Sequence, residues 1–304
     1  MTKPDEHGDE QMYVAGRFAS PADATVSARD AGLLLGAGLF ETLRTYGGQP
    51  FRLDRHLARL RASGHVFRIP VKESDPQVSE IIARLVQVNG VPDARVRITA
   101  TRGPLTEELA DEEVPRATLL VTAGPMTPYP KEFYDRGASV VVSDIHANPT
   151  DPTVYHKTTG YLRNLLALRD AHRARAAEAI LFNTRNHLAE GTVSNVFLVK
   201  SGRLLAPPVE EGLLPGITRA TVLELAAQVG VPAEQKVLTV QDLLDADEVF
   251  LTNSIMEVMP VVRIEQHEVG AAAPGPITRR LAEAYRACVA RETGAAPQAF
   301  EPRP

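Results

Sequence analysis

Three prolines within six residues divide this chain near its middle. The segment 123–130 reads Ala-Gly-Pro-Met-Thr-Pro-Tyr-Pro, and this spacing favours a stiff, extended connection over a packed element. Strand-like and helix-like patterns occur on both sides of the segment. Strict alternation of apolar and polar residues predicts a strand at 95–102, and leucines at helical spacing predict a helix at 160–177. We therefore expect two domains of the α/β or α+β class.

The length of 304 residues is large for one domain and sufficient for two, each with its own core. The predicted organisation comprises a disordered leader at 1–11, a small N-terminal domain at 12–122, a linker at 123–130, a C-terminal domain at 131–292 and a tail at 293–304.

Charge and cysteine content exclude several classes of function. A net charge of −5 argues against a general nucleic-acid-binding protein, which would carry a basic stripe. The one cysteine, Cys288, cannot form an internal disulfide or a cysteine-based metal site, so we predict no metal. The polar first twenty residues do not resemble a signal peptide, and no apolar run is long enough for a membrane helix. We expect a cytoplasmic protein with no membrane or nucleic-acid partner.

Lysine is rare in this chain, which makes each lysine informative. Six lysines accompany 27 arginines, and five of the six have plausible solvent-exposed settings. Lys157 differs, because an aromatic residue, a histidine, two threonines and a glycine flank it in Tyr-His-Lys-Thr-Thr-Gly. Such surroundings can enclose an amine, lower its pKa and leave it nucleophilic enough to form a Schiff base. A solvated lysine at the start of a helix is the alternative.

Three further segments in the second half carry polar groups suited to a ligand. Glu190 opens Glu-Gly-Thr-Val-Ser-Asn-Val-Phe, where a buried carboxylate would need a positive partner. The segment 212–219 runs directly into a predicted helix at 218–229, whose free amides form an anion site, although plain capping by Thr218 explains the same letters. The segment Thr252-Asn-Ser supplies hydroxyl and amide donors at the end of a predicted strand.

Taken in chain order, these motifs resemble the class IV (fold-type IV) pyridoxal-phosphate enzymes. This family includes branched-chain and D-amino-acid aminotransferases and aminodeoxychorismate lyase. The segment 190–197 looks like the family signature, 214–219 like its phosphate-binding motif, and 40–44 with 56–59 like its N-terminal pattern. The resemblance covers roughly residues 12–290. It implies a two-domain α/β (α+β) fold, with a smaller N-terminal domain, a larger C-terminal domain and the active site at their interface.

The resemblance also implies a cofactor, pyridoxal 5′-phosphate (PLP), and roles for individual residues. Lys157 would hold PLP as a Schiff base and move the substrate proton, and Glu190 would keep the pyridine nitrogen protonated. Arg59 would bind the phosphate, since its His-x-x-Arg setting matches the family. The implied cofactor-binding set is completed by Ser194, Asn195, Gly216, Ile217, Thr218, Asn253 and Ser254.

The expected reaction is the transfer of an amino group between an amino acid, of D- or branched-chain type, and a 2-oxo acid. Arg102 looks like the carboxylate-binding arginine of the D-amino-acid enzymes, whereas Arg97 resembles an arginine of the branched-chain enzymes. The candidate substrate residues are Phe40, Thr42, Arg44, Arg97 and Arg102. The acidic stretch 107–113 would itself repel a carboxylate.

Two other functions stay open. Thr42 occupies the position of a threonine implicated in pyruvate elimination by aminodeoxychorismate lyase, which forms 4-aminobenzoate and pyruvate. A more remote alternative is a non-catalytic protein that kept the scaffold, but Lys157, Glu190, Arg59 and Thr218 are all present. The resemblance also implies a homodimer.

Overall fold

The computed structural model describes residues 10–105 and 117–296. Residues 1–9 of the predicted leader, the acidic stretch 107–113 and residues 297–304 of the predicted tail lie outside these ranges. The chain divides into two compact units. The first takes the chain up to Thr127 together with Lys157–Gly160 and Thr293–Ala295, and the second takes Pro128–His156 and Tyr161–Glu292.

The first unit is a six-stranded antiparallel sheet, and two of its helices pack on one face of it. Its strands are β1 (Met12–Val14), β2 (Arg17–Ala19), β3 (Gly38–Tyr46), β4 (Gln49–Pro50), β5 (Ala94–Thr101) and β6 (Thr118–Pro125), in the order β2-β1-β6-β5-β3-β4. Its helices are α1 (Ala31–Leu35), α2 (Leu53–Val66) and α3 (Asp75–Val88).

Side-chain alternation along β3 and β5 creates the core of this unit. Leu39 and Leu43 of β3 and Val96 and Ile98 of β5 are buried with the apolar faces of α2 and α3. Phe40, Thr42 and Arg97 point to the opposite face of the sheet, because strand side chains alternate. This alternation confirms the strand predicted at 95–102 and leaves one face of the sheet for polar groups.

The predicted linker is partly wrong. Ala123, Gly124 and Pro125 belong to β6, which pairs with β5 along its whole length, from Thr101↔Thr118 to Ala94↔Pro125. Pro125 is tolerated there because it is the last residue of the strand, where the missing N–H costs little. The first unit ends at Thr127, so only the later prolines lie beyond its sheet.

The second unit contains a mixed nine-stranded sheet. Its strands are β7 (Ala138–Val142), β8 (Glu178–Phe182), β9 (Leu188–Gly191), β10 (Asn195–Lys200), β11 (Arg203–Ala206), β12 (Ala233–Gln235), β13 (Glu248–Asn253), β14 (Glu257–Ile264) and β15 (His267–Glu268). The order is β12-β11-β10-β13-β14-β7-β8-β9, with β15 paired to β14. Its helices are α4 (Lys131–Asp135), α5 (Leu162–Arg173), α6 (Ile217–Gln228), α7 (Val240–Leu244) and α8 (Pro276–Thr293).

The strands β8, β9 and β10 of this second sheet are almost entirely buried, as expected for strands covered on both faces, whereas β12 and β15 are polar and exposed. Every residue of β8 is buried, and only the last residue of β10 is exposed. Polar side chains inside these strands are therefore exceptions, and two of them, Glu178 and Glu190, lie on neighbouring strands.

Candidate active site

Lys157 lies along an edge of β3 in the first unit. The backbone N–H of Phe40 donates to the Lys157 carbonyl at 2.8 Å, and the N–H of Thr159 donates to the Gly38 carbonyl at 2.8 Å. The Thr159 hydroxyl donates to the Gly36 carbonyl at 2.9 Å. These bonds add a short antiparallel bridge to the sheet and explain why 157–160, predicted within the C-terminal domain, groups with the first unit.

The Lys157 side chain is partly buried against an aromatic ring. Its Nζ is 4.5 Å from the centroid of the Phe40 ring, and Cζ of Arg97 is 3.9 Å from the same centroid. The face of an aromatic ring attracts cationic side chains, so the Phe40 ring helps to hold both Lys157 and Arg97 in place. Burial lowers the pKa of His156, so this neighbour carries no charge at pH 7. The structure thus brings together three predicted site residues.

The other predicted substrate residues follow the same two strands. Thr42 is directly opposite Arg97 in the β3–β5 register, which places it beside the Phe40 ring. Arg44 lies four residues along β3 from Phe40, about 13 Å away, and its guanidinium stacks on Tyr46 at 4.3 Å. Arg102 follows β5, and its backbone N–H donates to the Ala37 carbonyl at 2.9 Å. Thr42 and Arg97 are therefore closer to Lys157 along the strands than Arg44 is.

Arg59 of α2 is bound by a buried carboxylate. Its Nε and one terminal nitrogen donate to the two oxygens of Glu41 at 2.8 and 2.7 Å, and His56 Nδ1 is 2.8 Å from the same carboxylate. Burial alone would raise the pKa of Glu41, but the charge and hydrogen bonds of Arg59 and His56 lower it to about 2. Glu41 is therefore ionised and fixes the direction of the Arg59 side chain.

Glu190 lies in β9 of the second unit and is 8% exposed. Its Oε2 accepts hydrogen bonds from the Leu214 backbone N–H at 3.0 Å and from Asn195 Nδ2 at 3.3 Å. Asn195 Nδ2 also donates to the Leu214 carbonyl at 2.9 Å. The signature segment and the segment before α6 are thus joined at the carboxylate.

At the N-terminus of α6, neighbouring groups can come close to the backbone because the N-cap residue has no side chain. The N-cap is Gly216, which supplies no side-chain cap, so the first-turn N–H groups of Ile217 and Thr218 have no partner within the helix. A Cβ on Gly216 would lie 1.9 Å from Asn195 Oδ1. Burial lowers the pKa of Arg219 in the same turn, and the carboxylates of Glu210 and Glu190 oppose this shift. A buried positive charge thus accompanies Glu190.

The segment after β13 is held by Asn253. Its Nδ2 donates to the Val193 carbonyl at 3.0 Å, and its Oδ1 accepts from the N–H groups of Ile255 and Met256 at 2.8 and 2.7 Å. Ser254 is the partly buried residue inside this turn. Within the described chain, the buried Thr252 hydroxyl, one residue before Asn253, has no hydrogen-bond partner.

One polar residue of this region was not identified from the sequence. Glu178, at the start of β8, is fully buried and accepts hydrogen bonds from Thr192 and Ser194, both in the signature segment. Ser194, predicted to bind the cofactor, thus has its hydroxyl directed to this carboxylate at 3.2 Å. A charged residue heading an otherwise apolar run, Glu-Ala-Ile-Leu-Phe, was the available signal.

Residues 10–105 and 117–296 show neither a metal site nor a membrane-spanning helix. These residues contain no cluster of three or more histidine, cysteine, aspartate or glutamate side chains that could hold a metal ion. In the same ranges, no helix combines the length and apolar character needed to cross a membrane.

Residues 38–264 match the family described as amino-transferase class IV. A Methanocaldococcus jannaschii protein, provisionally named a branched-chain-amino-acid aminotransferase, is 34% identical over 91% of this chain and 95% of its own. The Bacillus subtilis aminodeoxychorismate lyase is 31% identical over 90% and 93%. A D-alanine aminotransferase of Bacillus licheniformis is 32% identical over 91% and 96%.

The fold agrees with these relationships. The crystal structure of the Escherichia coli branched-chain amino acid aminotransferase superposes with a TM-score of 0.88 at 29% identity, covering 94% of this chain and 96% of that one. The α/β architecture and the two-domain fold-type IV assignment made from the motifs are thereby confirmed. The chain belongs to the class IV aminotransferases, a family of PLP-dependent transaminases.

Proposed function

We propose that this protein transfers an amino group from an amino acid of D- or branched-chain type to a 2-oxo acid, with Lys157 as the catalytic residue. The observation that carries the proposal is the setting of Lys157, whose backbone is fixed at the edge of β3 and whose amine lies on the Phe40 ring. A lysine that served only solubility would not need either restraint.

The residues present fit PLP. A carboxylate that is 8% exposed, a helix N-terminus without a side-chain cap and a buried threonine hydroxyl without a partner among the described residues are the donors and acceptors that a phosphorylated pyridine requires. When bound, PLP withdraws electrons from the α carbon of an attached amino acid. We assign the pyridine nitrogen to Glu190.

The phosphate is assigned to Arg59, to the first-turn amides of Ile217 and Thr218, and to Ser254. Two N–H groups of Arg59 donate to Glu41, and these bonds fix the direction in which its guanidinium lies. Gly216 contributes by having no side chain. We infer that Ser194, Asn195 and Asn253 serve the cofactor indirectly, by holding the segments around it, because their side chains bond to Glu178, Glu190 and Val193.

Lys157 would carry the proton between the substrate α carbon and the cofactor. The amine accepts a proton in its neutral form, and its contact with the Phe40 ring fixes where that amine lies. Arg97 also presents a guanidinium to a substrate carboxylate on the face that carries Phe40 and Thr42. Arg102 is the second candidate for a carboxylate, and Arg44 is the candidate for a more distant substrate group.

A panel of amino donors tests the proposal. Purified protein loaded with PLP would be mixed with single L- and D-amino acids, with pyruvate or 2-oxoglutarate as acceptor. We expect a change in the visible spectrum and formation of the matching 2-oxo acid with at least one donor, both lost in Lys157→Ala. A folded protein that binds no PLP at micromolar concentrations would favour the non-catalytic alternative.

Aminodeoxychorismate lyase is the second candidate function. The B. subtilis lyase is nearly as similar as the aminotransferases, and Thr42 is opposite Arg97 on the Lys157 side of the sheet. Both reactions need the lysine and differ in what leaves the substrate. Release of 4-aminobenzoate from aminodeoxychorismate, with no 2-oxo acid formed from any donor, would favour the lyase.

We further propose a cytoplasmic homodimer. Each unit carries a helix with exposed leucines, and a partner subunit would cover such apolar surface. These leucines are Leu33, Leu34 and Leu35 of α1, and Leu162, Leu165 and Leu166 of α5. The lone cysteine is compatible with a reducing compartment. Light scattering should give twice the chain mass of 33.0 kDa, and cell fractionation should recover the protein with cytoplasmic markers.

A further inference from the structure

Glu178 is a buried carboxylate that the proposed chemistry does not use. It is 0% exposed. Burial raises its pKa, and hydrogen bonds from Thr192, Ala179 and Ser194 oppose that shift. Within the described ranges, no cationic side chain bonds to it. A carboxylate in such a place is costly, and a residue that only filled space there would be better apolar.

Over 10–105 and 117–296, the side chain of Glu178 accepts hydrogen bonds from one turn and from the next residue of its own strand. Oε1 accepts from the Thr192 backbone N–H at 2.9 Å and from the Thr192 hydroxyl, and Oε2 accepts from the Ser194 hydroxyl at 3.2 Å. Oε1 also accepts from the Ala179 N–H at 3.3 Å. Gly191 permits this approach, because a Cβ there would lie 2.2 Å from the Ser194 hydroxyl.

The turn Thr192–Ser194 is in contact with two other segments. The Thr192 carbonyl accepts from the Tyr161 hydroxyl at 3.0 Å and from Asn164 Nδ2 at 2.6 Å, at the start of α5, which follows the Lys157 segment in sequence. The Val193 carbonyl accepts from Asn253, which precedes Ser254. At its two ends the turn joins Glu190 in β9 to Asn195 in β10.

We propose that Glu178 is a positioning residue, which holds the turn Thr192–Ser194 and through it sets the segments that present Glu190, Ser254 and the start of α5. This inference rests on the proposed function, since it concerns residues assigned to PLP. Glu178 touches neither cofactor nor substrate in this account. It acts through Thr192 on groups that do.

The test compares two isosteric changes of buried carboxylates in the same unit. Glu178→Gln keeps one acceptor oxygen and replaces the other by an NH2 group, so Thr192 and Ser194 cannot both donate to this side chain as they do to Glu178. Glu248→Gln is the matched control: Glu248 is also buried, in β13, and accepts from the backbone N–H groups of Ile277 and Thr278 and from the Thr278 hydroxyl at the start of α8. Both changes should lower the melting temperature.

Only Glu178→Gln should alter the bound cofactor. We expect PLP affinity to be at least about tenfold weaker, because one hydrogen bond that holds the turn is lost. We also expect a shifted pH midpoint for the visible band. Glu248→Gln should keep the wild-type affinity and midpoint. Wild-type cofactor behaviour in Glu178→Gln, or equal changes in both variants, would overturn the inference.

A second pair of variants covers the case in which Glu178→Gln does not fold. Thr192→Val removes the hydroxyl that donates to Glu178 and keeps the shape, whereas Thr192→Ser restores the hydroxyl. We expect weakened PLP binding in the first and recovery in the second, and equal affinity in both would also overturn the inference. If the wild type itself lacks a Lys157-dependent band, the proposed function fails rather than this inference.

Discussion

The Glu41 carboxylate shows how one residue can carry a charge inside an apolar core. Leu39 and Leu43 beside it in β3 are buried among α2 and α3, and Glu41 is 1% exposed. Its ionisation there depends on two side chains that α2 presents one turn apart, Arg59 and His56. The sequence motif supplied these residues, but their burial together follows only from the packing of α2 on the sheet.

The lowered pKa of Glu41 predicts a pH dependence of stability. Its folded pKa is about 2 against 4.5 as the ordinary value, so its stabilisation of about 3 kcal/mol is present above pH 4.5. That stabilisation is lost as the pH falls from 4.5 towards 2. The measurement is urea unfolding of wild type and Glu41→Gln from pH 7 to 2.5, and the difference in unfolding free energy should shrink on acidification. A difference constant with pH would contradict it.

Removal of Arg59 should expose the cost of an uncompensated charge. Arg59→Met leaves Glu41 buried with His56 alone, and we expect a loss of about 3–5 kcal/mol in unfolding free energy. The double variant Glu41→Gln with Arg59→Met should be more stable than Arg59→Met. Denaturant unfolding of all four proteins measures the coupling, and strictly additive losses would show that the two side chains do not depend on each other.

Residue identity and flanking residues indicated Lys157, whereas Glu178 had only a weak local signal, a charge at the start of an apolar strand, and no signal for its role. Lys157 is conspicuous because lysine is rare in this chain and its flanking residues are unusual for a solvated lysine. Glu178 is one of 38 acidic residues, and its role depends on the turn at Thr192, which β8–β9 pairing brings back to it. Long-range pairing of this kind is not encoded in any local pattern.

At the scale of elements, Gly216 links β10 to α6. Its φ of −70° suits any residue, so the backbone does not require glycine. The requirement comes from Asn195 Oδ1, 1.9 Å from the position of a Cβ. The start of α6 therefore packs directly against β10, the strand that follows the turn Thr192–Ser194.

Gly216→Ala should therefore displace either the helix start or Asn195. We expect PLP affinity to fall by about tenfold or more, since overpacking of this kind costs on the order of 1–3 kcal/mol. Equilibrium titration of the apoprotein with PLP gives the value. Gly124→Ala is the control, because a Cβ there meets no atom within 4 Å. Equal affinities in the two variants would show that the contact at Gly216 does not matter.

Strands and helices whose apolar residues repeat at regular spacing were predicted well from the sequence. Short or irregular elements were not. The alternation at 95–102 and the helical leucines at 160–177 correspond to β5 and α5. The helix α1 lies in a glycine-rich stretch and begins because Asp30 caps it, accepting from the Gly32 N–H while the hydroxyls of Thr101 and Thr118 hold the carboxylate. That cap is tertiary, so no local pattern predicts it.

For the whole molecule, the cofactor should be a structural component as well as a reagent. A ligand that binds only the folded state stabilises it by about 2.7 kcal/mol at a hundredfold excess over its Kd. Removal of PLP should therefore lower the melting temperature, and its return should restore it. Scanning calorimetry of the holoprotein, the apoprotein and the apoprotein with inorganic phosphate measures this, and identical melting curves would contradict it.

Fold class and family could be predicted from the sequence, because several family motifs occur along the chain in the expected order. The boundaries of the two units were harder to predict. The segment Lys157–Gly160 groups with the first unit through hydrogen bonds to Gly36, Gly38 and Phe40, far away in sequence. Domain boundaries predicted from proline content and element order place everything before the linker in one domain and everything after it in the other. Such boundaries cannot anticipate a short return of the chain to an earlier sheet.

Attachment of the cofactor to one particular lysine is the most direct test of this account. The PLP-loaded protein would be reduced with borohydride, digested and mapped by mass spectrometry, and the six lysines provide five internal controls. We predict a phosphopyridoxyl group on the peptide that contains Lys157 and on no other. Unmodified peptides throughout, or a label on a different lysine, would contradict the account.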